Sequence, residues 1–341
     1  MDWFEHITGF AEGNYASTQA KLSVDGEFLV SKVNGSRHRI GQLELVSLQA
    51  LRARRVWPQH EQHGTSVRCL AGDARALHAR PEFAGASFQV ASQFNLLEMV
   101  GPHITPEHGV TRYVDDNTQG PACAIAAGAG TIYRNYFVPV DGAPGQTEHR
   151  QIDALAPLGE ALAVRLDRPV ESLWTMRNGY ALCTADGLAA IGRHLQQADE
   201  QELDDLRGQL SVGVHRHVAV TDVRRAETPT VTQVYCSALP IAYSGIAPAA
   251  WEPFARLVLE AAYEATLLVA AEQPDPSIQP TVLLTRLGGG AFGNPDNWID
   301  NAINRALARI ESLGLDVRLV SYGTIHPRMR AIQAAWDGRQ R

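Results

Sequence analysis

Apolar positions along this chain follow two rhythms. Short runs rich in apolar and β-branched residues recur at 26–33, 66–70, 87–92, 132–138, 231–238, 281–286 and 316–322, and they read as strands. Between them lie patterns at helical spacing, at 42–55, 121–129, 251–271 and 297–313. The first of these helices has Leu45, Leu48 and Leu51 on one face and a basic end, Arg52, Arg54 and Arg55, which suits a helix C-terminus. Trp251-Glu-Pro-Phe opens the third, and Asp296 is placed to cap the fourth. Strands alternating with helices predict an α/β fold with a mixed, largely parallel sheet flanked by helices. The stretch 141–228 fits this rhythm less well. It holds a Gly/Pro turn at 141–145, a charged helix at 196–208 and a basic, His-containing strand at 212–220. The expected organisation is therefore an N-terminal extension, 1–62, and a core, 63–341, with 141–228 as an insertion or subdomain. No internal repeat is visible.

Composition and charge narrow the function classes. The 45% hydrophobic content supports a sizeable core, and the net charge of -7 argues against a surface that coats nucleic acid. An anionic ligand stays open, because backbone amides and helix dipoles bind phosphate without a basic surface. The start, MDWFEHITGF, carries acids where a signal peptide has basic residues, and no run is long enough for a membrane span. These features read as cytoplasmic, with no membrane partner. Cys69, Cys123, Cys183 and Cys236 are scattered without CxxC or zinc spacing, and read as small buried hydrophobes. Cys123 sits where a helix N-terminus would lower a thiol pKa, but the acids beside it oppose that shift. His215-Arg216-His217 and the pair His60/His63 invite a metal reading, since alternate residues on a strand share a face. No third ligand follows at a diagnostic spacing, so structural or solvated histidine is preferred. No metal and no cofactor are expected.

The most informative segment is Thr-Val-Leu-Leu-Thr-Arg-Leu-Gly-Gly-Gly-Ala-Phe-Gly-Asn-Pro, residues 281–295. A buried-type strand runs into Gly288, Gly289 and Gly290, then Ala291, Phe292, Gly293 and Asn294, and then a helix. Successive amides in such a loop can turn toward one anion, and the helix adds its positive end. The Lys-Ser/Thr of a P-loop is absent, and so is the acidic ribose ligand of a dinucleotide fold. A single glycine suffices for a tight turn; four in six residues favour a ligand loop over that plainer reading. A second polar group, Asp115, Asp116, Asn117 and Gln119, crowds before Gly120-Pro121 and a helix of small residues. Helix capping accounts for one or two of these residues, and function for the set. Upstream, Asp73 follows a strand in Ala71-Gly-Asp-Ala-Arg, where it is either a turn residue or an acceptor for an exocyclic amine. Arg134, in Tyr133-Arg-Asn-Tyr, has three readings: a phosphate partner, a partner for Asp115 or Asp116, or a structural salt bridge.

In their order these segments resemble the macrodomain superfamily, including its poly(ADP-ribose) glycohydrolase branch. Ala71–Arg75 looks like the first-strand Gly-Asp-Ile-Thr motif, and Phe88–Asn95 like the Val-Asn-Ala-Ala-Asn strand. Gly120–Gly128 looks like the glycine-rich segment and helix that follow. Leu287–Asn294 looks like the second phosphate loop, in the Gly-Ala-Phe-Gly form of the glycohydrolase branch. The likeness covers roughly 66–140 and 230–325. It implies a macrodomain-like α/β core in which Asp73 contacts adenine, Tyr322 stacks on it and residues 288–294 hold the diphosphate. Gly120 and its helix would bind on the other side, with Asn95 and the 115–119 group around the distal ribose. Two departures stand out. Gln119-Gly-Pro replaces a triple glycine, and the Gln-Glu-Glu signature is missing, with only Gln119 near its place. Asp115 or Asp116 is then the expected acid, with Asn117 and Gln119 beside it.

Two functions follow, with a third behind them. One is a hydrolase that removes ADP-ribose from a conjugate, nucleic acid entering only as a modified substrate. Another is a non-catalytic reader of ADP-ribose or a nucleotide signal. The third is an α/β scaffold in which the glycine loop is only a turn.

Overall fold

The structure is a computed structural model that describes residues 2–54, 64–223, 228–272, 275 and 277–339. Arg55, His60, His63 and the boundary at 62/63 lie outside the described residues.

The chain opens with α1 (Trp3–Thr8), α2 (Tyr15–Ala20) and a small antiparallel sheet, β1 (Leu22–Asp25), β2 (Phe28–Ser31) and β3 (Arg37–Arg39). Then come β4 (Gln42–Ser47), α3 (Leu48–Ala53), β5 (Ser66–Ala71), α4 (Ala74–His78) and β6 (Ser87–Ala91). A long loop leads to α5 (Gln119–Ala126) and α6 (Gly128–Tyr136), followed by the hairpin β7 (Pro139–Val140) and β8 (Ala143–Pro144). Next are α7 (Ala156–Leu166), α8 (Val170–Leu173), a second hairpin β9 (Trp174–Arg177) and β10 (Tyr180–Cys183), α9 (Ala185–Gln197) and α10 (Glu200–Gln209). The chain finishes through β11 (Ser211–Ala219), β12 (Thr230–Cys236), α11 (Pro248–Ala271), β13 (Thr281–Leu284), α12 (Asp296–Arg309), β14 (Asp316–Ser321) and α13 (Pro327–Arg339).

Seven strands build the central sheet in the order β4-β11-β12-β6-β13-β14-β5. Only β11 runs against its neighbours; β12, β6, β13, β14 and β5 are parallel to one another. Parallel strands need crossovers, and α11 and α12 supply them between β12, β13 and β14. Helices on both faces bury the middle strands, so β13 carries the continuous run Val282, Leu283 and Leu284, all buried. On one face Trp251, Phe254 and Leu259 of α11 pack with Ile299 and Ile303 of α12. On the other, Leu77 and Phe83 meet Phe88, Val218 and Val320. The expected class, an α/β fold with a mixed, largely parallel sheet flanked by helices, is the observed one. The sheet takes β4 from within 1–62 and β11 from within 141–228, so both segments contribute strands to it.

Several elements differ from expectation. Residues 42–55 begin as a strand, because Gln42–Ser47 pairs with β11 along its length, and turn helical only where Ser47 caps Ala50. Residues 132–138 lie largely in α6, where Ile132, Asn135 and Tyr136 are all buried and tertiary packing overrides β propensity. The single helix expected at 121–129 is two, broken at Ala127. His215 and His217 do not share a face. A register irregularity follows His215, and His217 takes φ 56°, which leaves His215 buried and His217 exposed. Asp296 is the first residue of α12, with Pro295 before it as the cap.

Candidate functional site

Five parallel strands point their carboxyl ends at one edge of the sheet, the usual place for a ligand in an open α/β fold. A cavity of about 470 Å³ opens there, within the range that small-molecule sites occupy. Its wall follows the strand order. Asp73 comes from the end of β5, Tyr322 from the end of β14, and the glycine loop from the end of β13. Ser92 and Gln93 come from the end of β6, and Ala238 from the end of β12. The start of α5 closes the wall with Asp116, Asn117, Gln119 and Gly120.

The glycine loop is two tight turns, with Gly289 N–H donating to the Arg286 carbonyl and Gly293 N–H to the Gly290 carbonyl, each at 3.1 Å. Gly288 has φ +73°, and a Cβ there would stand 2.5 Å from Ala238 Cβ. Gly290 is different: nothing lies within 4 Å of a Cβ built on it. Among the described residues the amides of Gly288, Gly290, Ala291 and Phe292 find no acceptor within the chain, which leaves them for solvent or an anion. Arg286 is not free to join them. Its guanidinium is held by Asp296 at 2.7 Å and Asp300 at 2.6 Å. Gly289 and Gly293 do not line the cavity, and neither does Asn294. The buried Asn294 side chain braces the loop instead, donating to the Leu239 and Gly288 carbonyls at 3.0 and 3.2 Å.

On the opposite wall, Gly120 lets α5 press onto the end of β6; a Cβ would sit 2.0 Å from the Ala91 carbonyl oxygen. Gln119 serves the same contact. Its Nε2 donates to the Gln89 carbonyl at 2.7 Å and its Oε1 accepts the Ala91 N–H at 2.8 Å. Its amide is thus committed to the sheet edge, although the residue lines the cavity. Asp116 lines the cavity and accepts the Thr118 N–H on Oδ1 at 2.8 Å; Asp115, exposed at the end of a short 3-10 turn, does not line it. Asn95 is also outside. The chain turns at Leu96 (φ 62°), which buries Asn95 against Gln151 at 2.8 Å and brings Gln93 to the cavity in its place. At the other end Asp73 caps α4 through Oδ1, and its Oδ2 has no donor among the described residues. Tyr322 is 82% exposed beside it.

Among the cavity residues that escaped the sequence reading are two tyrosines and a glutamate. Tyr180 and Tyr243 surround Phe292, with ring centroids 5.4 and 5.7 Å from it. Tyr180 donates to the Met99 carbonyl at 2.6 Å, and burial, Tyr243 and the Asp116 carboxylate together raise its pKa. Glu98 is the third. Its carboxylate accepts from the buried Arg134 at 3.1 and 3.2 Å, and burial pushes it up to about 7 against the pull of that guanidinium. Arg134 also donates to the Leu96 carbonyl at 2.9 Å and lies over the Tyr235 ring. It is therefore a structural salt bridge, and it lines neither the cavity nor the glycine loop. A lone acid inside Leu96-Leu-Glu-Met-Val was the signal for Glu98. Tyr180 and Tyr243 had none, because only the tertiary fold brings them in. Cys123 is buried with its thiol pKa well raised by burial, so it packs as a small residue.

No known family matches the chain, and no curated protein matches it. Among solved structures it is similar to poly(ADP-ribose) glycohydrolase from Deinococcus radiodurans in complex with ADP-ribose, at 10% identity and a TM-score of 0.43, covering 87% of this chain and 94% of that one. It is also similar to the Thermomonospora curvata enzyme bound to the inhibitor ADP-HPD, at 12% identity and a TM-score of 0.43, covering 93% of this chain and 94% of that one. Likeness at this level assigns no residue a role.

Proposed function

We propose that this chain hydrolyses the bond between ADP-ribose and a carrier. One observation carries the reading: the strand order lays out along a single cavity a wall suited to each part of ADP-ribose in turn. Asp73 and Tyr322 suit adenine, the first as acceptor for the exocyclic amine and the second as a stacking face. The free amides of Gly288, Gly290, Ala291 and Phe292 and the α5 N-terminus suit the diphosphate. Gln93, Asp116 and Asn117 then stand at the distal ribose. Asp116 is the residue we assign to general acid–base chemistry there: it gives its proton to the carrier oxygen as the C1″–O bond to the carrier breaks, and its carboxylate then takes a proton from the water that forms the new C1″–O bond.

With p-nitrophenyl ADP-ribose as probe, whose phenolate leaves without protonation, Asp116→Asn is expected to cut kcat by about 100-fold or more through loss of the base that activates water, while free ADP-ribose binds as before. Asp115→Asn is expected to change neither. Full turnover in Asp116→Asn removes the assignment. The second reading, a non-catalytic reader, is favoured by Glu98, the buried cavity carboxylate, which Arg134 already holds. Wild-type protein that binds ADP-ribose and releases no p-nitrophenol selects it.

A further inference from the structure

We propose that Glu12 is a positioning residue for this reaction, its carboxylate setting the loop that presents Asp116 to the cavity; the proposal rests on the role just given to Asp116. Glu12 lies between α2 and the preceding α1, far from the cavity in sequence, and no residue of 2–41 lines the cavity. Its Oε1 accepts the Val110 N–H at 2.9 Å and its Oε2 the Thr111 N–H at 2.7 Å. Tyr136 of α6 donates its hydroxyl to the same Oε1 at 2.7 Å. Gly109, at φ +79°, makes room for this grip, since a Cβ there would lie 2.5 Å from Glu12 Oε2. Trp3 adds a contact from α1, donating Nε1–H to the Thr111 carbonyl at 3.2 Å.

The gripped amides begin the short turn Thr111–Asp115. Within it Tyr113 is buried and accepts the Glu98 N–H on its hydroxyl at 3.0 Å, and Asp116 N–H closes the turn onto the Tyr113 carbonyl at 3.3 Å. The turn is therefore fixed at its entry by Glu12 and Trp3, in its middle by the main chain of Glu98, and Asp116 leaves it at the cavity wall. Amides held by a carboxylate make charge-assisted bonds. A displacement of about 1 Å in a reacting group can cost about 100-fold in rate. The N-terminal segment thereby becomes part of the catalytic apparatus without touching substrate.

The test is steady-state kinetics with p-nitrophenyl ADP-ribose on the full chain, with free ADP-ribose affinity and amide exchange measured alongside. Glu12→Ala is expected to lower kcat about 10- to 100-fold with the affinity for ADP-ribose within about threefold of wild type. Gly109→Ala, which presses on the same contact from the loop side, is expected to act in the same direction. Combining Glu12→Ala with Asp116→Asn is expected to cost no more than Asp116→Asn alone, because both act through one group. Asp25→Asn, which loosens only the surface pair with Arg37 at 2.9 Å, is expected to change nothing. Wild-type kcat in Glu12→Ala, or multiplied losses in the double variant, overturns the proposal. Should wild type itself release no p-nitrophenol, the hydrolase reading fails separately. Exchange at 110–116 then decides: it is expected to quicken in Glu12→Ala while the sheet amides stay protected, and unchanged exchange there overturns the role of Glu12.

Discussion

At the scale of single residues, buried charge separates groups that hold the fold from groups left for chemistry. Arg134 and Glu98 have fully buried side chains and answer each other. Removing one leaves an uncompensated charge, so Arg134→Met is expected to destabilise the protein by about 3–5 kcal/mol, read by urea unfolding; a loss below about 1 kcal/mol counts against a buried ion pair. His78 and His215 are buried and neutral, held down to about 4 and about 3 by desolvation. Unfolded, each binds a proton near its ordinary value of 6.5. Unfolding therefore takes up protons as pH falls from about 6.5 toward about 4, and stability is lost across that window. Glu98 acts in the opposite sense between 4.5 and about 7, as one group against two. The expected result is a lower urea midpoint at pH 5 than at pH 7.5; a midpoint that rises on acidification contradicts neutral burial of the histidines. Several of these residues were legible beforehand and several were not. Four glycines in six residues announced the loop at 288–293, because that backbone demand is local. The commitment of Gln119 to the edge of β6 is set by a partner 28 to 30 residues away, which no spacing in the sequence reveals.

At the scale of elements, the same contrast holds. α11, β13, α12 and β14 were readable because long amphipathic or continuously apolar runs fix their own type. Gln42–Ser47 was read as helix from Leu45, Leu48 and Leu51, yet its state is decided by pairing with β11, a strand more than 160 residues later. Residues 132–138 look strand-like, and their place in α6 is fixed by burial against Trp3, Phe4 and Ile7. The α5 start has a comparable demand that could be read only in part: Pro121 was visible as a helix opener, and the need for glycine at 120 was not. Gly120→Ala places a Cβ on the Ala91 carbonyl oxygen, so it is expected to destabilise the chain by roughly 1–3 kcal/mol and to weaken ADP-ribose binding together with it. Unchanged stability in a melting experiment would mean that α5 does not rest on β6 as closely as described.

For the whole molecule, the sheet order turns separate motifs into a site. Asp73, Tyr322, the glycine loop and Gln93 are spread over some 250 positions, and adjacency of β5, β14, β13 and β6 sets them side by side. Motif order hinted at this arrangement; the inclusion of β4 and β11, and the role of the N-terminal segment in holding residues 109–116, required the fold. Among the described residues no helix is long and apolar enough to cross a membrane. Binding of the ADP-ribose diphosphate by the 288–292 loop is read out by calorimetric titration with free ADP-ribose, with AMP as control. The expected result is one-to-one binding with a dissociation constant on the order of micromolar or tighter, weaker binding of AMP, and no binding in Gly290→Glu, whose Cβ meets no atom within 4 Å. No heat from ADP-ribose with the wild-type chain, or undiminished heat with Gly290→Glu, would contradict it.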